Sequence, residues 1–411
     1  MRQMPHPQRP KLSLLLLLAA FMLPGCTTLE ISPHFASSQE FPVPTDLTPN
    51  VDFWHKVYAR WSRSQVAVHD DRYLGVIYQV AELPGPIKAS YTAQQRDFLA
   101  TLQHSWRTRL TRLSRKLAAD SPLTGEERAL KNKLYAAGGA NALIDPAERV
   151  RTQRGLRERF RRGLEISGQY DQRFRDIFRR HGVPEDLAYL PHVESSFQGH
   201  ARSSVGAAGM WQFMPATGRH YMVVNARIDE RLDPIIAADA AARYLADAHR
   251  QLSSWPLAIT SYNHGVAGMN KARALHGDDI ASIVMRYDGR AFGFASRNFY
   301  AEFIAARHVA RHAHQYFPEG ISYESPKAQR QVHLKQRRSI RDIAMQYQVP
   351  EHELIRLNPA WRNPIREGRT PVPAGSPIWL PGPQVPAPRD HQPDLNFPLF
   401  GARLERMTAE T

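Results

Sequence analysis

Apolar residues recur along this chain mostly at helical spacing. Leu187, Ala188, Leu190 and Val193 form one such series. Pro184 suits the first turn of that helix, with Glu185 and Asp186 at its positive end. Pro191 lies in its interior, which predicts a kink or break just before Glu194. Residues 234–252 predict a strong helix, with Asp233 as N-cap and Pro234 at the first helical position. Another helix is expected through Phe299 to His314. The run Pro256 to Ser261 reads as a helix ending at Tyr262 and Asn263, with Gly265 as its C-cap. Against this background Val76-Ile77-Tyr78-Gln79-Val80 predicts one short strand. Leu12 to Leu23 is almost wholly apolar but too short for a comfortable membrane span.

The expected fold class is therefore mainly α. With 411 residues, two or three domains are expected, and a hydrophobic content of 42% is enough for real cores. Residues 51–164 lean helical, with Phe53, Trp54 and Trp61 near their start and no assignable chemistry. They are expected to pack as an extra lobe on a central domain at 165–318. The Arg-rich stretches Arg107 to Lys116 and Arg149 to Arg162 read as helical, with a solvated face as the plain alternative.

The front of the chain changes the picture. Arg2, Arg9 and Lys11 precede the apolar run, and Leu23-Pro24-Gly25-Cys26 follows it. This resembles a bacterial lipoprotein box. Residues 1–25 would be the signal peptide, Cys26 the lipidated new N-terminus, and residues 26–50 a linker. Thr27 after Cys26 then implies the outer membrane, facing the periplasm, and a lipid anchor in place of a spanning helix. A plain secretory leader is the alternative. Cys26 is the only cysteine, so no disulfide within the chain can form. The formal net charge is +15. Such a balance suits an anionic cell-wall polymer or phospholipid headgroups. No nucleic-acid motif appears, so no nucleic-acid partner is expected. His308 and His312 stand at i, i+4 without the acidic partner of a His-Glu-x-x-His pattern, so they are read as surface residues and no metal or cofactor is expected.

Candidate chemistry is concentrated in three ordered segments: Glu194-Ser195-Ser196, then Gly206 to Gln212, then Ser261-Tyr262-Asn263-His264-Gly265. Glycosidic cleavage needs a proton delivered to the leaving oxygen. A Glu supplies it at neutral pH only when burial raises its pKa. Glu194, at the end of an apolar series, is placed for that. Ser195 is a local hydrogen-bond partner, since no Gly-x-Ser-x-Gly elbow surrounds it. Gly206 and Gly209 allow positive φ and close backbone approach to sugar hydroxyls and N-acetyl groups. Gln212 is the polar group beside this turn, with Met210 and Trp211 as an apolar floor. Tyr262 offers a hydroxyl and Asn263 both a donor and an acceptor, which suits an N-acetyl group. Each segment alone would be an ordinary turn, cap or core residue. No second acid sits in the three segments. The nearest candidates are Asp229, Glu230 and Asp233, whose simpler reading is helix capping.

In order and wording the three segments resemble the lytic transglycosylases of the soluble-lytic-transglycosylase family, which cut peptidoglycan glycan strands. The resemblance covers roughly residues 165–318 and implies a lysozyme-like helical catalytic domain. It further implies that Glu194 is the single acid–base and that Ser195, Gly206, Gly209, Met210, Gln212, Tyr262 and Asn263 bind substrate. In this family the C6 hydroxyl of N-acetylmuramic acid attacks its own anomeric carbon, so a 1,6-anhydro sugar forms and no water nucleophile is needed. Ser261 stands where the family has Ala, and the later Asn-Tyr-Val segment reads Asn298-Phe299-Tyr300, which displaces the Tyr by one residue. A water-using muramidase on the same scaffold and a silent wall-binding scaffold are the competing readings.

Residues 330–381 resemble a LysM module through Val332, Ser339-Ile340, Ile343-Ala344, Tyr347, Val349, Leu354, Leu357-Asn358-Pro359 and Pro377 to Pro381. That resemblance implies a small α+β strand-helix-helix-strand unit that binds N-acetylglucosamine chains, although Gln336-Arg337-Arg338-Ser339 replaces the usual Gly-Asp-Thr. The tail 382–411 is Pro-rich and reads as mobile.

Overall fold

A computed structural model describes residues 35–383. The leader, Cys26 and nearly all of the 382–411 tail lie outside the described residues. In chain order the main elements are α1 (Thr48–Ala59), β1 (Gln65–Asp70), β2 (Ile77–Glu82), α2 (Ala93–Ala118), α3 (Gly125–Ala142), β3 (Val150–Arg154), α4 (Arg157–Ser167) and α5 (Asp171–Arg180). A 3-10 turn, Glu185–Tyr189, leads into α6 (Leu190–Glu194). Then follow α7 (Pro215–Tyr221), α8 (Pro234–Leu252), α9 (Trp255–His264), α10 (Val266–His276), α11 (Ile280–Arg286), α12 (Phe294–Arg311) and α13 (Ala313–Tyr316). The C-terminal module holds β4 (Gln329–His333), α14 (Ile340–Tyr347), α15 (Glu351–Leu357), α16 (Asn363–Arg366) and β5 (Pro377–Pro381). The protein is mainly helical with small sheets, as its pattern predicts.

One large apolar core unites the helices from α4 to α13. α8 contributes a face of small residues, Ala237, Ala238, Ala240, Ala241 and Ala242, which lets neighbouring helices approach closely. α1 belongs to the same core. Phe53, Trp54, Val57 and Tyr58 pack with Phe299, Phe303 and Ile304 of α12. The stretch read as a linker is partly built into it, because Phe35, Phe41 and Leu47 are buried there. Apolar side chains in a linker are a cost unless covered, and here they are covered.

The rest of the N-terminal region departs from an all-helical reading. β1, β2 and β3 form an antiparallel sheet in the order β2-β1-β3. The strand expected at 76–80 is realised at 77–82 and pairs with β1. The Arg-rich stretch from Arg149 is not one helix but β3 followed by α4. Val68 and Val76 from the sheet region and Leu110, Leu113 and Leu134 from α2 and α3 make a separate small core. Both long helices open with capping boxes, Thr92 with Gln95 and Thr124 with Glu127.

The C-terminal module has its own core around Ile340, Ile343, Leu354, Ile365 and Ile378, closed by antiparallel pairing of β4 with β5. Ile228 of the central domain enters this core. The Asp229 N–H donates to the Ala360 carbonyl at 2.8 Å and the Arg362 N–H to the Arg227 carbonyl at 2.9 Å. The Trp379 indole N–H donates to the Asp233 carboxylate at 2.5 Å, with Arg173 over the ring. Trp379 is buried in this junction.

Candidate active site

Pro191 acts differently from an interior kink. The 3-10 turn ends at Tyr189, and Pro191 sits in the first turn of the new short helix α6, where its missing N–H costs nothing. Pro184 precedes the 3-10 turn as its N-cap residue. The break lies before Leu190, and α6 ends on Glu194. Leu187, Ala188 and Leu190 are fully buried and anchor it. The chain leaves α6 through Ser196 and Phe197, two successive non-glycine residues at positive φ (53° and 59°). The N–H groups of Ser195 and Phe197 both donate to the Pro191 carbonyl at 3.1 Å. Phe197 is buried against His192 and Phe174. A left-handed non-glycine pair is strained, and it persists because packing over-determines it.

Glu194 itself is only half-buried as a residue, with its carboxyl enclosed. Among the described residues its carboxyl makes no hydrogen bond and no ion pair. Burial, and then the nearby charge of Glu302, push its pKa up to about 8. A carboxyl held neutral at pH 7 is a proton donor. His192, two residues earlier, is buried against Phe160, and its burial lowers it to about 3, so it brings no positive charge.

The three sequence segments meet at this acid. The Ser195 hydroxyl donates to the Met210 carbonyl at 2.8 Å, tying the end of α6 to the glycine loop. The Tyr262 hydroxyl donates to the Trp211 carbonyl at 2.9 Å, tying α9 to the same loop. Burial and the charge of Glu194 raise the Tyr262 pKa well above its ordinary value, so this hydroxyl keeps its proton. The Gln212 amide donates to the carbonyls of Gly209 (2.7 Å) and Ala201 (3.3 Å). Gly265 caps α9 as expected, at φ 82°. The Asn263 side chain is exposed and accepts from Ser296 at 2.7 Å.

Several of these residues hold the site instead of presenting groups to it. Ser195 is 1% exposed and its hydroxyl is spent on Met210. Met210 and Trp211 are core side chains, and the Trp211 indole donates to the Pro234 carbonyl. Gly209 does need to be glycine, at φ 80°, but its close approach is to protein. A Cβ there would lie 1.7 Å from the Arg231 carbonyl oxygen. Gly206, at φ 92°, offers its carbonyl to Arg231.

The three alternative acids are all engaged elsewhere. Asp229 is fully buried and forms a two-pronged pair with Arg231 at 2.8 and 2.9 Å. Glu230 accepts the Val223 N–H at 2.6 Å. Asp233 caps α8 by accepting from Ile235 and Ile236, as its position before Pro234 predicts, and also accepts from Trp379. Helix capping thus explains Asp233 alone.

Two residues near Glu194 were not found from sequence. Glu302 on α12 lies within its electrostatic reach, and burial pushes Glu302 up to about 8 as well. The Tyr58 hydroxyl of α1 donates to Glu302 at 3.5 Å and feels both acids. Neither lies in a motif. The only cue for Glu302 was an acid on the inward face of a helix otherwise lined by Phe299, Phe303 and Ala306. Tyr300 points away and donates to the Pro42 carbonyl. His308, read as a surface residue, is instead buried, with a ring nitrogen 2.7 Å from the Tyr316 hydroxyl. Among the described residues no group of His, Cys, Asp and Glu could hold a metal ion.

An enclosed acid thus stands at the end of a short helix, braced by a glycine loop and a Tyr-Asn helix end. Residues 176–283 match the family model of the Transglycosylase SLT domain. The chain is similar to membrane-bound lytic murein transglycosylase D of Escherichia coli K12, at 35% identity over 96 residues. That match covers 23% of this chain and 21% of the relative. It is also similar to membrane-bound lytic murein transglycosylase F 2 of Alkalilimnicola ehrlichii, at 32% identity over 158 residues, or 36% of this chain and 32% of the relative. The matched stretch thus spans a fifth to a third of these relatives' length. The solved 70 kDa soluble lytic transglycosylase of Escherichia coli overlaps at a TM-score of 0.30 and 14% identity. That overlap covers 53% of this chain and 44% of that one, and is too slight to bear on the fold.

Proposed function

We propose that this protein is a peptidoglycan lytic transglycosylase that cleaves the glycosidic bond after N-acetylmuramic acid and leaves 1,6-anhydro ends. The observation that carries the reading is Glu194, enclosed at the end of α6 with no hydrogen-bond donor among the described residues, its pKa pushed by burial up to about 8. It gives its proton to the leaving oxygen. The resulting carboxylate then takes the proton of the sugar's own C6 hydroxyl as that oxygen attacks the anomeric carbon. The hydroxyl is tethered to the reacting ring, which removes the entropic cost of recruiting a nucleophile.

Glu302 makes a hydrolytic muramidase the reading to beat, because hydrolases use two carboxyl groups. Its raised pKa speaks against that role. A group held up to about 8 lacks, at neutral pH, the charge that a carboxylate nucleophile or a base toward water requires. Digestion of purified peptidoglycan in heavy-oxygen water separates the two. Anhydro ends free of heavy label are expected, and labelled reducing ends would establish a hydrolase.

Cys26 is proposed as the lipid anchor, which would hold the enzyme at the periplasmic face of the outer membrane. Among the described residues no helix is long and apolar enough to cross a membrane. Cys26→Ala is expected to move the protein to the soluble periplasmic fraction, and an unchanged fractionation without acylation would refute the anchor. The C-terminal module is proposed to be LysM-like from its strand-helix-helix-strand order. Its buried Trp379, spent on Asp233, favours a role in bracing the central domain over an exposed glycan platform.

A further inference from the structure

The C-terminal module and the central domain enclose a cleft of about 620 Å³ at their junction. The loop that carries the chain away from Glu194, through Phe197 and His200 to Arg202, forms one wall. The module contributes Arg356, Arg366 and Trp379, and the connection into β4 contributes Lys327. Charges around this cleft do not balance. Its two acids are already engaged. Asp233 caps α8 and accepts from Trp379, and Glu324 pairs with Arg162 at 2.5 Å and accepts from the Gln169 amide. Arg356 is paired with Glu353 at 3.1 Å. Lys327 and Arg366 have no carboxylate partner among the described residues. Arg202 reaches only Asp229, at 4.0 Å, whose oxygens Arg231 already holds at 2.8 and 2.9 Å.

We propose that this junction cleft binds a short acidic peptide, the stem that a peptidoglycan strand carries, with Arg202, Lys327 and Arg366 taking its carboxylates. This rests on the reading of peptidoglycan as the substrate.

The chemistry of the walls selects the occupant. Cations gathered from three separate segments around one cleft, without acids of their own, draw an anion into it. The guanidinium fork of Arg202 or Arg366 matches a carboxylate. Gln169 makes a second demand. It is only 8% exposed, forms part of the wall, and its Oε1 is buried with no donor among the described residues. A buried acceptor left without a donor is costly, and an amide N–H of the occupant would satisfy it. Carboxylates and amide N–H groups occur together in a peptide, whereas a bare glycan offers N–H groups without the charge. Ile166, Ile235 and Ile355 add an apolar wall for small aliphatic side chains. The volume lies in the range of sites that hold ligands of this size. The module then has a task that fits its buried Trp379. It braces the central domain and in doing so completes the cleft, since Arg202 belongs to one and Arg366 to the other.

The test is calorimetric titration of the full protein with a synthetic stem peptide bearing free carboxyl groups, and with the same peptide amidated at those groups. The acid peptide should bind, more weakly as salt is added, and the amidated one should bind on the order of tenfold less tightly. Arg366→Gln and Lys327→Gln change exposed residues, so the fold should survive, and each should weaken the acid peptide on the order of tenfold. Both should raise KM for stem-bearing strands more than for strands stripped of their stems. No binding of the acid peptide by the native protein would overturn the proposal and leave the cleft a structural joint. Equal binding of the amidated peptide, or undiminished binding by a folded protein carrying both substitutions, would overturn it as well. The titration needs no turnover. Peptide bound in this way by a protein that never cleaves glycan would fault the proposed activity and keep the site, whereas glycan cleavage without peptide binding would fault the site alone.

Discussion

Glu194 and the Asp229 to Asp233 loop flank the same glycine turn, and both put carboxyl groups out of water. Their surroundings differ in one respect. Asp229 has a guanidinium on both oxygens, Glu230 has the Val223 N–H, and Asp233 has two helix N–H groups and an indole. Among the described residues Glu194 has no donor and a second acid for company. Burial raises Glu230 and Asp233 too, but there the donors pull the other way. A buried carboxyl with filled lone pairs is a structural fastening. One left unfilled is pushed towards its neutral form and becomes a proton source. The comparison also explains why Arg231 matters. It links Asp229 to the carbonyls of Gly206 and Phe213, so the acid loop builds the turn that braces Glu194.

The sharpest way to break the comparison is to empty the fastening. Asp229→Ala leaves Arg231 buried and unpaired, and a loss of about 3–5 kcal/mol in unfolding free energy is expected. Denaturant titration measures it, and a loss under about 1 kcal/mol would mean that the pair is ornamental.

Next in size is the chemical side. Glu194→Gln keeps the shape but has no proton to give, so kcat should fall at least ~100-fold with the melting temperature unharmed. Near-native turnover in a folded Glu194→Gln protein would remove this residue from the mechanism.

The smallest expected effect sharpens the contrast through pH. Glu194 and Glu302 are raised from 4.5 to about 8 in the folded state. Between those values the folded chain binds more protons than the unfolded one, so stability falls as pH rises. Their contribution is fully present below about pH 4.5 and is lost as pH climbs through 8. The native protein should therefore lose more stability than Glu194→Gln between pH 5 and 8.5. Parallel melting curves for the two proteins across that range would show that Glu194 titrates normally.

Much of the site was legible because its parts are short-range. Asp233 before Pro234, Gly265 after Tyr262-Asn263 and the helix over 234–252 follow from capping and periodicity, which act within a few residues. The acid could be picked out because an apolar series ends on it. What Gly209 faces was not legible, since it meets the Arg231 carbonyl from another loop. The sheet at β1 to β3 was half seen, because strand pairing joins residues far apart in sequence. The buried state of His308 was missed for the same reason, as Phe35 and His55 cover it from the front of the chain.

The amino-acid sequence by itself determined a mainly helical chain, a carboxylic acid at a helix end, a glycine turn and a Tyr-Asn cap, because each depends on neighbours within a turn or two. Only the tertiary structure decided which carboxyl groups would be satisfied. Asp229 finds its partner two residues away, and the C-terminal module meets the same loop where the Asp229 N–H donates to the Ala360 carbonyl. Glu302 meets Tyr58 across 244 positions, and both meet Glu194 only where α1, α6 and α12 converge. A pKa depends on water excluded and charges brought near, and both are properties of packing that no local stretch of chain contains.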